Sequence, residues 1–288
     1  RSTQSRSSAA SDVYKRQGLY DNTIDSITKS YNSLIKNFDE NNISFASEYL
    51  INKNPLEIEK HWQHMFRRQI FRGGSDMMAA MGAIDIALWD IKGQTLGVPI
   101  YELLGGKIRD RIWCYGRWDG LTPEAAIERA EEFTSQGITA LKGDPFDHQG
   151  IFIDRESEKR AIEKMRRVRE HVGDGVELLV EAHGRLSPSD AIRIGLALEE
   201  YRPFMYEEPV PPENLEALKK VADAINIPIA TGERLYTKWD YAGLFPLQAV
   251  ALIQPDIVQA GGLLELKKIA AMAEAHYVGF QPHNPYGP

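Results

Sequence analysis

Three glutamates, Glu181, Glu207 and Glu233, recur at a constant interval of 26 residues, each directly after a short apolar run at 176–180, 204–206 and 229–232. One strand, one helix and two loops consume about that many residues, so the interval is that of a β/α unit in a parallel barrel. Neighbouring parallel strands lie about 4.8 Å apart, so acids at equivalent strand ends crowd one mouth. Bare carboxylates that close repel and take up protons. A divalent cation removes the conflict, and hard oxygen donors suit Mg²⁺. Taken singly, each acid is an ordinary loop residue or helix cap; three in step point to metal ligands. The interval selects Glu207 over Glu208, which is left as a loop acid or a support for the ligands.

The same strand ends offer further ionisable groups: Lys142, Asp144, His183, Asp256 and His283. In an extended segment His183 faces the same way as Glu181, two residues before it. His283 follows the seventh strand-like run, across the mouth. Two imidazoles facing each other over a metal-bound substrate make a base and acid pair near neutral pH. Asp256, one strand over from His283, either orients that ring or is a turn residue after Pro255. His61, His64, His148, His171 and His276 read as solvated or structural. Gly261-Gly262 before a helix offers an anion site or, without a nucleotide-binding glycine pattern around it, a tight turn.

The elements that must position these groups are legible from periodicity. Apolar residues at three- and four-residue spacing predict helices at 27–38, 56–68 and 76–96, a mainly helical front. From Arg111 onward strand, loop and helix alternate, with strands expected at 111–115, 138–142, 176–180, 204–206, 229–231, 251–254 and 278–281. Thr122-Pro123 and Ser187-Pro188 supply N-caps with first-turn prolines, and Gly137 stops a helix. Leu215, Leu218, Ala222 and Ile225 form one buried stripe. Seven strands are visible where a closed barrel has eight.

Composition bounds the partners. A chain of 288 residues with 43% hydrophobic and 26% charged residues builds a substantial core. A net charge of −7 without a basic block argues against nucleic acid. Cys114 is the single cysteine, which excludes an intramolecular disulfide and suits a reducing cytoplasm. No apolar stretch approaches the roughly 20 residues of a membrane span. Residues 1–17, rich in Ser and Arg, lack the hydrophobic core of a secretory signal and read as a non-native or disordered leader. The expected partition is this leader, a partial capping domain at 18–108 and a barrel domain at 109–288 that stops before its last strand.

The sequence resembles the enolase superfamily, mandelate racemase subgroup, and within it the acid-sugar dehydratases of the galactonate dehydratase type. The resemblance spans residues 22–288 and rests on Ala83-Ile84-Asp85-Ile86-Ala87-Leu88-Trp89-Asp90 with Gly97-Val98-Pro99, on Glu181 to Arg185, Glu207-Glu208-Pro209, Gly232-Glu233-Arg234, Gln254-Pro255-Asp256 and Pro282-His283-Asn284-Pro285. It implies an α+β capping domain on a modified (β/α)₇β barrel. It also implies Glu181, Glu207 and Glu233 as Mg²⁺ ligands, His283 as base supported by Asp256, and His183 as acid. The implied reaction removes the proton beside a sugar-acid carboxylate and expels the 3-hydroxyl, giving a 2-keto-3-deoxy acid. Family precedent implies a homo-oligomer.

Three departures stand out. Glu181 occupies a position that is commonly Asp; Lys142-Gly143-Asp144 replaces the lysine pair of racemase-like members, which leaves Lys142 as a substrate-carboxylate contact; and the eighth strand and front hairpin of the capping domain are expected beyond this sequence. Two other activities fit the same residues: an epimerase or racemase of acid sugars, and an inactive metal-carboxylate-binding fragment.

Overall fold

The computed structural model describes residues 49–68, 74–147 and 150–285. The leader at 1–17, the helix expected at 27–38 and His148 lie outside them. Among the described residues seven strands form one sheet in sequence order, every neighbouring pair parallel. They are β1 (Gly116–Arg117), β2 (Ala140–Gly143), β3 (Glu177–Glu181), β4 (Met205–Glu207), β5 (Ile229–Thr231), β6 (Leu252–Ile253) and β7 (Gly279–Phe280). The intervening helices are α4 (Pro123–Thr134), α5 (Arg155–Val172), α6 (Pro188–Leu198), α7 (Leu215–Ala222), α8 (Lys238–Leu244) and α9 (Leu263–Ala275). They are preceded by α1 (Ile58–Arg68), α2 (Gly74–Leu96) and the short α3 (Ile100–Leu103). Strand order without jumps, with a helix between successive strands, is the arrangement that curls a parallel sheet into a barrel. This is the expected α/β barrel fold; among the described residues β1 and β7 do not pair.

The predicted caps form. Thr122 accepts from the Ala125 amide, Ser187 from the Asp190 amide, and Thr237 with Asp240 completes a reciprocal capping box. Six of the seven strands fall where the sequence places them, give or take two residues. The first does not: residues 111–115 carry no strand, and β1 begins at Gly116. The aromatic and β-branched run Ile112-Trp113-Cys114-Tyr115 has strand composition, but β2 starts only at Ala140 and pairs with Gly116 and Arg117. Gly116 is required there because a Cβ would overlap the Phe133 ring of α4.

Strand alternation sorts the side chains into two layers. Leu141, Leu178, Val180, Tyr206 and Ile229 point outward into the large cluster shared with the helices. Ala140, Leu179, Met205 and Ala230 point inward and make a small apolar floor. Two residues further along the same inward faces stand Lys142, Glu181 and Glu207, so the barrel interior turns from apolar to charged at the carboxyl ends of its strands.

The N-terminal helices pack around Trp62, Met65, Met77, Met78, Met81, Ile84 and Leu88, a core that reaches the barrel through Tyr236 and Leu264. Asp85 of α2 is buried in that junction, with Oδ1 lacking a hydrogen bond among the described residues. Burial pushes its carboxyl from 3.8 up to about 7, against the Leu264 and Leu263 amides, which favour the charged form. The folded chain therefore holds this proton more tightly than the unfolded chain does. Stability attributable to Asp85 is present below its unfolded pKa and is lost as pH rises through its folded one, at about 1.4 kcal/mol per pKa unit. Asp85→Asn should flatten that fall, so urea unfolding at about pH 8 should find the variant more stable, with the difference closing towards about pH 4. Parallel pH dependences would refute the assignment. No described helix is long and apolar enough to cross a membrane.

Candidate active site

Glu181 closes β3 and Glu207 closes β4, and the two are direct register partners in the ladder. Both are fully buried. Glu233 arrives differently. Glu207 pairs with Ala230 in β5, so the third acid lies three residues beyond its register partner's level. Gly232, at φ +137°, turns the chain there, and a Cβ on it would come within 2.7 Å of the Tyr241 hydroxyl. The turn brings Glu233 back to the others: one carboxylate oxygen from each of Glu181, Glu207 and Glu233 lies within 4.8 Å of the other two.

Lys142 stands over the two buried acids. Its Nζ donates to Glu207 Oε1 at 2.6 Å and lies 2.9 Å from Glu181 Oε2. Burial raises the Glu207 carboxyl to about 7, reinforced by the Glu181 charge and opposed by Lys142. Burial works to lower the Lys142 ammonium, but the charges of Glu207 and Glu181 outweigh it and hold the pKa above the usual lysine value. One lysine cannot neutralise three carboxylates. Glu181 Oε2 and Glu207 Oε2 are fully buried and share that one ammonium, at 2.9 and 2.6 Å. Hard oxygens converging with unmet acceptor capacity fit a small divalent cation, whose ligands sit at about 2.0–2.1 Å in the case of Mg²⁺. The residues therefore suit the metal that the spacing suggests.

Two histidine–aspartate pairs flank the acids. His183, at φ +48°, has its backbone N–H on Glu181 Oε1 at 2.7 Å and its Nδ1 on Asp144 Oδ2 at 2.7 Å. Asp144 also takes the Arg185 guanidinium. The Asp144 hydrogen bond raises the pKa of His183, with burial opposing. On the other side the β6–β7 ladder extends into a bridge between Asp256 and His283. Asp256 Oδ2 accepts from His283 Nδ1 at 2.8 Å, while Asp256 Oδ1 accepts from the Val258 and Gln259 amides, each at 2.8 Å. His283 Nε2 lies 3.1 Å from Glu233 Oε2. Burial acts to lower the pKa of His283, and the Asp256 hydrogen bond and the Glu233 charge override it, so the net shift is upward.

The strand-end groups Lys142, Asp144, Glu181, His183, Glu207, Glu233, Asp256 and His283 thus lie at one mouth. Lys142 is engaged with the acids rather than open to the mouth. Asp256 contacts His283 and also caps its own turn, so its two open readings coexist. Asp144 has a role that the sequence reading did not assign. The signal was available: Asp144 precedes His183 by one strand, as Asp256 precedes His283. Glu208 is fully buried against Arg234, which binds its Oε2 from the position beside Glu233. Gly261-Gly262 is a turn packed against Asp85, not an anion cradle.

The comparisons agree with this geometry. Residues 125–288 match the enolase C-terminal domain-like family and residues 39–105 the mandelate racemase/muconate lactonizing enzyme N-terminal domain. The D-galactonate dehydratases of Verminephrobacter eiseniae and Xanthomonas euvesicatoria are 40% and 38% identical over 83% of this chain. The chain spans 63% of the length of those curated relatives. Among solved structures, a member of the enolase superfamily from Salmonella Typhimurium superimposes with a TM-score of 0.80 at 35% identity, covering 86% of this chain and 70% of that one. An enolase from Agrobacterium radiobacter with bound Na and L-malate gives 0.79 at 33%, covering 85% and 63%. On sequence, fold and the placement of its strand-end acids, the chain belongs to the enolase superfamily, in its mandelate racemase/muconate lactonizing enzyme branch.

Proposed function

We propose that the protein is a Mg²⁺-dependent hydro-lyase that dehydrates a sugar acid, a galactonate-like aldonate, to its 2-keto-3-deoxy product. The barrel at 109–288 would supply the chemistry and the part at 18–108 would cap it. The observation that carries the reading is the convergence of Glu181, Glu207 and Glu233 between two histidines, each held at Nδ1 by its own aspartate. The relatives named D-galactonate dehydratase and the malate held by the Agrobacterium neighbour support a hydroxy-carboxylate substrate.

Glu181, Glu207 and Glu233 would hold the cation, which supplies positive charge to the enediolate that develops when the α-proton leaves. The rest falls to the chain. Asp256 on Nδ1 fixes the tautomer of His283 so that Nε2 accepts the proton at C2. The electron pair left on C2 forms the C2–C3 double bond as the C3–O bond breaks. His183, held at Nδ1 by Asp144, delivers the proton from Nε2, so the hydroxyl departs as water rather than hydroxide. The resulting enol tautomerises to the 2-keto acid. Lys142 would turn its charge from Glu181 and Glu207 towards the substrate carboxylate once a cation takes those acids.

Incubation with an aldonate panel and Mg²⁺, scored for a product that traps carbonyl reagents, tests the reading. Turnover of at least one aldonate to a 2-keto acid supports it. Epimerised substrate without carbonyl gain would replace it with an isomerase, and a blank panel with metal bound would reject it. Asp144→Asn adds a finer test. It should slow dehydration about tenfold to a hundredfold while leaving exchange of the α-proton with deuterated solvent in place, because only the acid half is disturbed. Equal loss of both would remove Asp144 from the acid role.

A further inference from the structure

The turn that presents Asp256 is clamped from outside the barrel. Beyond Asp256 the chain passes through Gly261 and Gly262, at φ +89° and +95°, into α9. The N-cap of α9 is Gly262, which has no side chain to offer the first amides. Asp85 of α2 substitutes for it: Oδ2 accepts from the Leu264 N–H at 3.1 Å across 179 residues of sequence. Trp62 of α1 donates Nε1–H to the Gly261 carbonyl at 2.9 Å. Contact is close enough that a Cβ at Gly82 would overlap the Val258 carbonyl oxygen and one at Gly262 would overlap the Asp85 carboxylate. At its near end the same turn supplies the Val258 and Gln259 amides that hold Asp256 Oδ1, leaving Oδ2 for His283.

We propose that Asp85 is a positioning residue for the Asp256–His283 pair. By capping α9 from the N-terminal helices it fixes the turn whose amides orient the Asp256 carboxylate, and through that carboxylate the imidazole. The kinetic part of the proposal rests on the reading of His283 as the base. A purely structural cap would hold the two parts together without setting the geometry of that pair. Geometry at the base matters because proton transfer falls off steeply when donor and acceptor are misplaced by a fraction of an ångström.

Amide hydrogen exchange reads the clamp without any substrate. Asp85→Ala should accelerate exchange at Leu263 and Leu264 at least about tenfold, and the acceleration should spread to residues 257–260 while the β3 amides stay protected. Asp85→Asn, which keeps an acceptor, should restore protection. Should Asp85→Ala fail to fold, Asp85→Leu, which fills the site without an acceptor, carries the same test. Acceleration confined to 263–266 would overturn the proposal. On an aldonate that is turned over, Asp85→Ala should lower kcat about tenfold with KM unchanged and raise the kinetic isotope effect of α-deuterated substrate, as a misaligned base makes proton removal limiting. An unchanged isotope effect, with kcat lost in proportion to folded protein, would leave Asp85 a structural cap and overturn the proposal. If the unsubstituted chain turns over no aldonate, the functional reading fails, while the exchange experiment still decides the clamp.

Discussion

His283→Asn is expected to eliminate turnover, by about 10²–10⁴-fold, while Mg²⁺ and aldonate still bind. The asparagine amide can reproduce the hydrogen bond that His283 Nδ1 gives to Asp256 at 2.8 Å, so the turn at 256–262 keeps its partner. What is lost is Nε2, the only ring atom left to take a proton. The variant should therefore fail in two assays at once, forming no 2-keto acid and exchanging no α-proton with deuterated solvent, with calorimetry showing metal affinity within a few fold of the original. His183→Asn should separate the two assays by keeping exchange and losing elimination. If His283→Asn retains exchange, the base lies elsewhere. The sign of the pH dependence follows from the same contacts. In the metal-free chain Asp256 and Glu233 overcome burial to raise the His283 pKa above the ordinary value. An NMR titration without metal should accordingly place the His283 midpoint above that of an unperturbed histidine, about 6.5.

Glu207→Gln should produce the second large effect, and in opposite directions with and without metal. In the metal-free chain Glu207 is buried beside Glu181, with its carboxyl raised to about 7. An acid whose folded pKa is raised is at ease in the fold below its unfolded pKa and costs stability as pH climbs through the folded one, at about 1.4 kcal/mol per pKa unit. Glutamine removes that cost, keeps an acceptor for Lys142, and leaves Glu181 as its counter-charge. The melting temperature without metal at about pH 8 should thus rise by several degrees. Millimolar Mg²⁺ should stabilise the original chain by mass action and the variant hardly at all. A variant that still gains stability from Mg²⁺ would show that the ion is held without Glu207.

The acids were legible because a barrel is a repeat. A constant interval of 26 residues is a statement about β/α units, and the ladder honours it for Glu181 and Glu207 as direct partners. The third acid reached the site for a reason the interval does not contain: Glu233 overshoots its strand, and Gly232 turns it back. The pairing of Asp256 with His283 followed from strand adjacency, and the same logic applied to Asp144 would have found the partner of His183. The error at residues 111–115 came from composition. Ile112, Trp113 and Tyr115 favour a strand, yet a strand needs a backbone ladder; the register with β2 begins only at Gly116, and Trp113 reaches Thr139 through its indole N–H. The link from Asp85 to Leu264 has no local signature at all, since the missing cap at Gly262 is visible in sequence but the residue that replaces it is 179 positions away.

Two of the three acids are thus anchored to a sheet and the third rides on a loop. A ladder cannot shift one oxygen without dragging its neighbours, so the spacing between Glu181 and Glu207 is rigidly inherited. Glu233 has only its own turn to move, and it shares an oxygen with His283 Nε2 at 3.1 Å. Any difference in ion radius would therefore fall on Glu233, and an inward shift of its Oε2 would lengthen the contact to the imidazole.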